Sequence, residues 1–198
     1  MNHTANGAGQ RIAERIRDLR QKQGLSLEAL AEKSGVSRSM ISLIERGETS
    51  PTAVILEKLA VGLEVVFASL FDPPATATST GAGLVRRRAD QSEWHDPASG
   101  YFRRNLSPPG TDQPLQLVEV VFPPGGRVIF ENSEREAHVW QQIWMLEGEM
   151  EIGAAEIVHR LRAGDCLARL QQPNTVFHNP GSLPARYLVA LAHRGGAR

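Results

Sequence analysis

The chain has one cysteine, Cys166, among 198 residues. A lone thiol excludes an internal disulfide framework and suits a reducing compartment. Charge of one sign is also missing: 22 Lys and Arg stand against 22 Asp and Glu, a net charge of zero. Residues 1–75 carry nine of each sign, so the N-terminal half is neutral by itself. Non-specific attraction to phosphate is therefore expected to be modest. No apolar run approaches the roughly 18 residues that a membrane span needs. Residues 1–9 are small and polar, lack the apolar core of a signal peptide, and read as a loose tail. The expectation is a soluble cytoplasmic protein of one or two modest domains.

Two short helices joined by a tight turn are legible in residues 25–47. Ser26 is placed to cap the first helix, since its hydroxyl can accept from free N–H groups at the helix start. Gly35 ends it, because glycine enters the left-handed region without steric cost. Ser37 caps the second helix and Gly47 closes it. Leu30, Ala31, Ile41 and Ile44 face inward, with Val36 at the corner. The outward face carries Ser37, Arg38, Ser39 and Ser42, the side chains expected of a helix laid in a DNA major groove. Ile12, Ile16 and Leu19 give an amphipathic helix before this motif. Pro51-Thr52 opens a fourth helix with Leu56, Leu59 and Ala60 inward, and residues 65–70 read as a short fifth.

The run Leu-Ala-Glu-Lys-Ser-Gly-Val-Ser and the segment Ile44-Glu45-Arg46-Gly47-Glu48-Thr49-Ser50-Pro51-Thr52 carry a resemblance. Residues 10–72 resemble the lambda-repressor-like helix-turn-helix of the xenobiotic-response-element family of bacterial regulators. That resemblance implies a five-helix unit that binds a double-stranded DNA operator, a nucleoid-associated location, and repression rather than activation. It places DNA contacts on Ser37, Arg38, Ser39, Ser42, Arg46, Thr49 and Ser50. Arg38 can pair with the guanine O6 and N7 acceptors or touch phosphate alone. Arg46 can serve a phosphate or an intramolecular pair with Glu45 or another neighbour. One position departs from the family: Leu27 stands where many members carry a glutamine that touches the DNA backbone.

Residues 73–84 hold almost no large apolar side chain and read as a linker. Beyond it, short alternating segments separated by Gly and Pro turns suggest an all-β sandwich or barrel. Those segments are 101–106, 115–122, 141–152, 166–170 and 186–191. The pieces Phe122-Pro123-Pro124-Gly125-Gly126, Met145-Leu146-Glu147-Gly148-Glu149, Leu161-Arg162-Ala163-Gly164-Asp165 and His178-Asn179-Pro180-Gly181 occur in cupin order. Residues 85–194 thus resemble a cupin, a small jelly-roll barrel. The resulting fold class is an all-α five-helix lambda-repressor-like helix-turn-helix followed by an all-β cupin.

Metal-binding cupins use two histidines, a glutamate and a third histidine. Here the glutamate position falls on Gln141 and the last histidine position on Thr175. The segment Glu131–Glu136 has no histidine. No cofactor is therefore expected; Glu136 with His138 is the nearest residual ligand pair, and His178 is expected as a structural hydrogen-bonder. A barrel without its metal still offers a concave pocket. By strand parity Gln141, Ile143 and Met145 point inward, and Gln141 is the leading contact for a small-molecule effector. Arg169, Tyr187 and His138 at the mouth complete the candidate site. Trp140 and Trp144 read as core or interface, with core burial favoured for tryptophan in a small barrel, and Cys166 is expected to be buried and inert.

One helix-turn-helix reads only a few base pairs, so a homodimer is expected, with the barrels as the contact. Two other functions fit the same residues. One is a metal-dependent cupin enzyme with a regulatory DNA-binding head, which the missing histidines disfavour. The other is a cupin-dimerised protein-binding adaptor, favoured if the barrel is packed solid.

Overall fold

The computed structural model describes residues 3–65, 67–71, 84–108, 115–131, 139–154 and 156–193. The linker of residues 73–83 lies outside them, as does His138. The chain divides into two units, Met1–Gly81 and Ala82–Arg198.

In the first unit, α1 spans His3–Lys22 and buries Ile12, Ala13 and Ile16. The N-terminal segment expected as a tail is thus largely the start of α1, continuing the helical ladder that the buried Ile12 and Ile16 anchor. Helix α2 covers Leu27–Ser34 and α3 covers Arg38–Glu45. Ser26 accepts from the Ala29 N–H at 3.0 Å, and Ser37 accepts from the Met40 N–H at 3.3 Å. Between the two helices Gly35 adopts φ 67°, and Val36 is buried. Helix α4, Ala53–Gly62, is capped by Thr52. It crosses α2 so closely that a Cβ on Gly62 would lie 2.7 Å from the Cβ of Ser34. Leu30, Ile41, Ile44, Leu56, Leu59, Leu63 and Leu70 form the core.

The expected fifth α-helix is not formed. Four α-helices are present among the described residues, followed by a 3-10 turn at Phe67–Phe71. Glu64 takes φ 55° and breaks the chain direction after α4. Five residues are then too few to establish an α-helical ladder, and the tighter turn prevails.

The second unit contains β1 (Glu93–His95), β2 (Phe102–Asn105), β3 (Leu115–Phe122), β4 (Arg127–Phe130) and β5 (Val139–Glu147). It continues with β6 (Glu149–Ala154), β7 (Ile157–Arg162), β8 (Cys166–Leu170), β9 (Thr175–His178) and β10 (Ala185–His193). They form a six-stranded sheet in the order β1-β2-β3-β10-β5-β8 and a four-stranded sheet in the order β4-β9-β6-β7. Every described pairing is antiparallel. Among the described residues no ladder joins the sheets, so they are two open sheets rather than one closed barrel. Most of what fills their inner faces is apolar: Val118, Val120, Phe122, Ile143, Met145, Met150, Ile152, Phe177, Val189 and Leu191 are buried.

Asn179 is wholly buried where the chain leaves β9. Its Nδ2 lies 3.2, 3.1 and 2.9 Å from the carbonyls of Phe122, Pro123 and Leu183, while its Oδ1 accepts from the Gly181 N–H at 2.9 Å. One side chain thereby satisfies backbone groups of two separate turns.

Two expectations about burial fail on the outer face of the larger sheet. Trp140 and Trp144 are 49% and 50% exposed, and Cys166 is exposed. The cause is the strict alternation of β5, which buries Val139, Gln141, Ile143 and Met145 and turns Trp140, Gln142 and Trp144 outward. Cys166 is the register partner of Trp144 and shares that face.

Candidate functional site

The outward side of α3 begins at its N-cap. Ser37, Arg38 and Ser39 are exposed and Ser42 is half-buried, so the face predicted from sequence is the one the helix presents. Ser37 Oγ and Ser39 Oγ lie 3.2 Å apart. Arg38 Nε meets Glu28 Oε1 of α2 at 2.6 Å, both side chains being well exposed. The pair is open to water, so its net contribution to stability is small.

At the other end of α3, Arg46 pairs with Glu48 and not with Glu45. Its Nε and Nη2 donate to the two Glu48 oxygens at 2.6 and 2.9 Å, and Nη1 donates to Ser42 Oγ. These hydrogen bonds hold the Glu48 carboxyl below, and the Arg46 guanidinium above, their ordinary pKa ranges. Thr49 is half-buried and Ser50 exposed in the loop that follows. The two cations of this surface, Arg38 and Arg46, are each matched by a local carboxylate. That is the neutrality of the composition seen at the scale of side chains.

Glu45 has a different task, which sequence reasoning missed. It is buried, and Arg20 of α1 grips it with two hydrogen bonds, Nε–Oε1 at 2.6 Å and Nη2–Oε2 at 2.7 Å. Arg20 Nη1 also donates to Leu25 O at 2.8 Å, and Arg17 donates to Glu45 O. The pair fixes the C-terminal end of α3 to α1 and to the start of the motif. Its signal was available: Glu45 falls at i+4 from Ile41 and next to Ile44, on the inward side of α3, where a carboxylate requires a partner.

In the second unit Gln141, Ile143 and Met145 all face the space between the sheets and are buried. Arg169 is the register partner of Gln141, and its Nη2 donates to Thr175 Oγ1 of the smaller sheet at 2.5 Å. Burial lowers the pKa of the Arg169 guanidinium. Tyr187 pairs with Met145, stacks near Phe122, and has its phenol pushed well above the usual range by burial. Met145 lies four positions beyond Gln141, about 13 Å along a strand. The fold therefore brings Gln141, Arg169 and Thr175 together and sets Met145 and Tyr187 apart from them. Arg103 and Asn105, absent from the sequence prediction, are also buried in this unit; Arg103 Nε donates to Asn105 Oδ1 at 3.3 Å.

At the positions where a cupin holds its metal, Gln141 supplies an amide and Thr175 a hydroxyl already engaged with Arg169 and the Gln172 carbonyl. Among the described residues no three His, Cys, Asp or Glu side chains converge to hold a metal. This donor set does not fit a divalent ion. Glu136 and His138 lie outside the described residues. His178 faces away from Thr175, and its Nδ1 donates to Glu151 Oε2 at 3.1 Å.

Residues 16–66, which hold this motif, match the Helix-turn-helix family model HTH_3. HTH-type transcriptional regulator SutR of Escherichia coli (strain K12) is 46% identical over 67 residues, 34% of this chain and 38% of that protein. HTH-type transcriptional regulator SinR of Bacillus subtilis (strain 168) is 44% identical over 62 residues, 31% of this chain and 56% of that protein. The matches thus span 38% and 56% of these curated relatives. A crystal structure of an HTH_3 family transcriptional regulator from Vibrio cholerae superposes with a TM-score of 0.72 at 26% identity. It covers 96% of this chain and 99% of that one, so the likeness extends through both units. Among the described residues no helix is long and apolar enough to cross a membrane.

Proposed function

We propose that the protein is a sequence-specific DNA-binding transcriptional regulator, a repressor, whose C-terminal unit is a metal-free cupin that binds a small-molecule effector. The observation that carries the reading is the exposed Ser37-Arg38-Ser39 edge of α3, capped at its N-terminus and locked to α1 through Glu45. A rigid helix whose first residues are short polar groups around one long cation suits base edges in the major groove. Ser42, Arg46, Thr49 and Ser50 follow the same surface toward the phosphates. Neutral local charge makes this head dependent on a second copy for affinity.

A homodimer supplies that copy. The outer face of the six-stranded sheet carries Leu115, Leu117, Trp140 and Trp144, each 37–50% exposed, and they share cross-strand rows with Leu188, Ala190 and Ala192. A contiguous apolar face of this kind marks an interaction surface, and a two-fold contact of the face with itself needs no other component. The test is stoichiometry on DNA. Two chains should bind a duplex with two half-sites about 10 base pairs apart, and Cys166 should lose maleimide reactivity as concentration rises. A monomer on DNA, with Cys166 equally reactive throughout, contradicts the dimer. An effector bound between the sheets would shift the population competent for DNA.

A further inference from the structure

The sensor reading leaves open what the effector is, and the polar residues between the sheets bear on that. Gln141 is 6% exposed, and its amide makes no hydrogen bond among the described residues. Such a group carries two donors and an acceptor, which a polar ligand between the sheets can meet. Its register partner on β8 is Arg169, and residues paired across a ladder point to the same side of the sheet. The guanidinium has five N–H donors. Nη2 donates to Thr175 Oγ1 at 2.5 Å and Nε to Leu170 O at 3.3 Å. Both acceptors are neutral, and among the described residues Arg169 has no carboxylate partner. Thr175 is itself 1% exposed and donates onward to Gln172 O at 2.6 Å, so its hydroxyl is locked as an acceptor for Arg169. That contact aims the guanidinium across the inter-sheet space and leaves Nη1 and the second Nη2 proton available. The neighbouring inward side chains, Ile143 and Leu191, are apolar.

We propose that Arg169 and Gln141 form an anion site that takes the carboxylate of a small organic acid, at the place where cupins with a full ligand set hold a metal. The site rests on its own geometry; only its regulatory meaning rests on the reading above. Two parallel N–H groups at the open edge of a guanidinium match the two oxygens of a planar carboxylate. The Gln141 amide supplies a third donor from the neighbouring strand of the same sheet. A phosphate dianion would require more than this one cation, whereas a monoanionic carboxylate is neutralised by it. Burial of Arg169 strengthens the attraction by excluding water from the pair.

Sodium acetate is the probe, with acetamide and sodium chloride at matched ionic strength as controls, titrated into the full-length chain labelled with nitrogen-15. Acetate should give saturable shifts at the Arg169 Nε–H and Gln141 side-chain amide signals, with a dissociation constant of about 1–10 mM, the range open to so small a ligand. Neither control should do so. Arg169→Met should weaken acetate binding by about 10-fold or more. Gln141→Leu should weaken it several-fold with circular dichroism unchanged, which keeps the test decisive if Arg169→Met misfolds. No saturable shift at either signal, equal shifts from acetamide or chloride, or unaltered binding in Gln141→Leu would overturn the site. Acetate binding that leaves DNA affinity unchanged upholds the site and overturns only the sensor reading.

Discussion

Replacing Arg38 by alanine separates a base contact from a phosphate contact. Among the described residues Arg38 is paired with Glu28 alone, and both side chains are more than 60% exposed. An ion pair of this kind contributes about 0–1 kcal/mol, so giving it up on binding costs little. A bidentate contact to guanine contributes roughly 1–3 kcal/mol, and its loss weakens binding by about 5- to 150-fold at fixed salt. The loss should be concentrated at one base position. If Arg38 touches phosphate alone, the weakening is uniform across sequences and the salt slope falls by about 0.9. Glu28 adds a correction, because without Arg38 its carboxylate faces the DNA unmatched. The double variant Glu28→Gln with Arg38→Ala should therefore bind better than Arg38→Ala alone. Folding is not at risk, since the helix cap is Ser37 and Arg38 lies outside the core. Fluorescence anisotropy against a selected duplex and its single-base variants, at several salt concentrations, reads all of these quantities. Unchanged affinity and unchanged salt slope in Arg38→Ala would refute the placement of Arg38 at the interface.

Arg20→Met should destabilise the helical unit by about 3–5 kcal/mol, because it strands the buried Glu45 carboxylate; thermal melting by circular dichroism reads the loss, and a change under 1 kcal/mol would count against it. Asn179→Ala removes the side chain that ties two turns together and should cost roughly 2–4 kcal/mol in urea unfolding of the β unit. Trp144→Arg should shift sedimentation toward monomer without loss of β structure, while an unaltered dimer would move the contact elsewhere. Lowering the pH through the depressed pKa of Glu48 protonates that carboxyl and frees Arg46. The Arg46–Glu48 pairing is therefore fully present above the ordinary carboxylate range and is lost only in acid. In Glu48→Gln, non-specific DNA affinity should already be raised at neutral pH.

The helical unit was legible because its signals are local. Ser26, Gly35, Ser37 and Thr52 each act within a few residues, and the caps form where the chain places them. The inward parity of Gln141, Ile143 and Met145 was equally readable from period-two alternation. What the sequence concealed is set by partners distant along the chain. Arg20 and Glu45 are separated by 25 positions, and nothing local announces their pairing. Strands β1, β4 and β7 escaped prediction because they are short or, in β7, exposed along most of their length. Within the candidate effector site, Gln141 and Arg169 come together only through the register of β5 and β8.

Selection of the full-length protein on random duplex oligonucleotides addresses the central assignment most directly. The account expects enrichment of a two-fold symmetric sequence, with half-sites about one helical turn apart and preference lost at one position in Arg38→Ala. A pool that stays random after repeated rounds would contradict it.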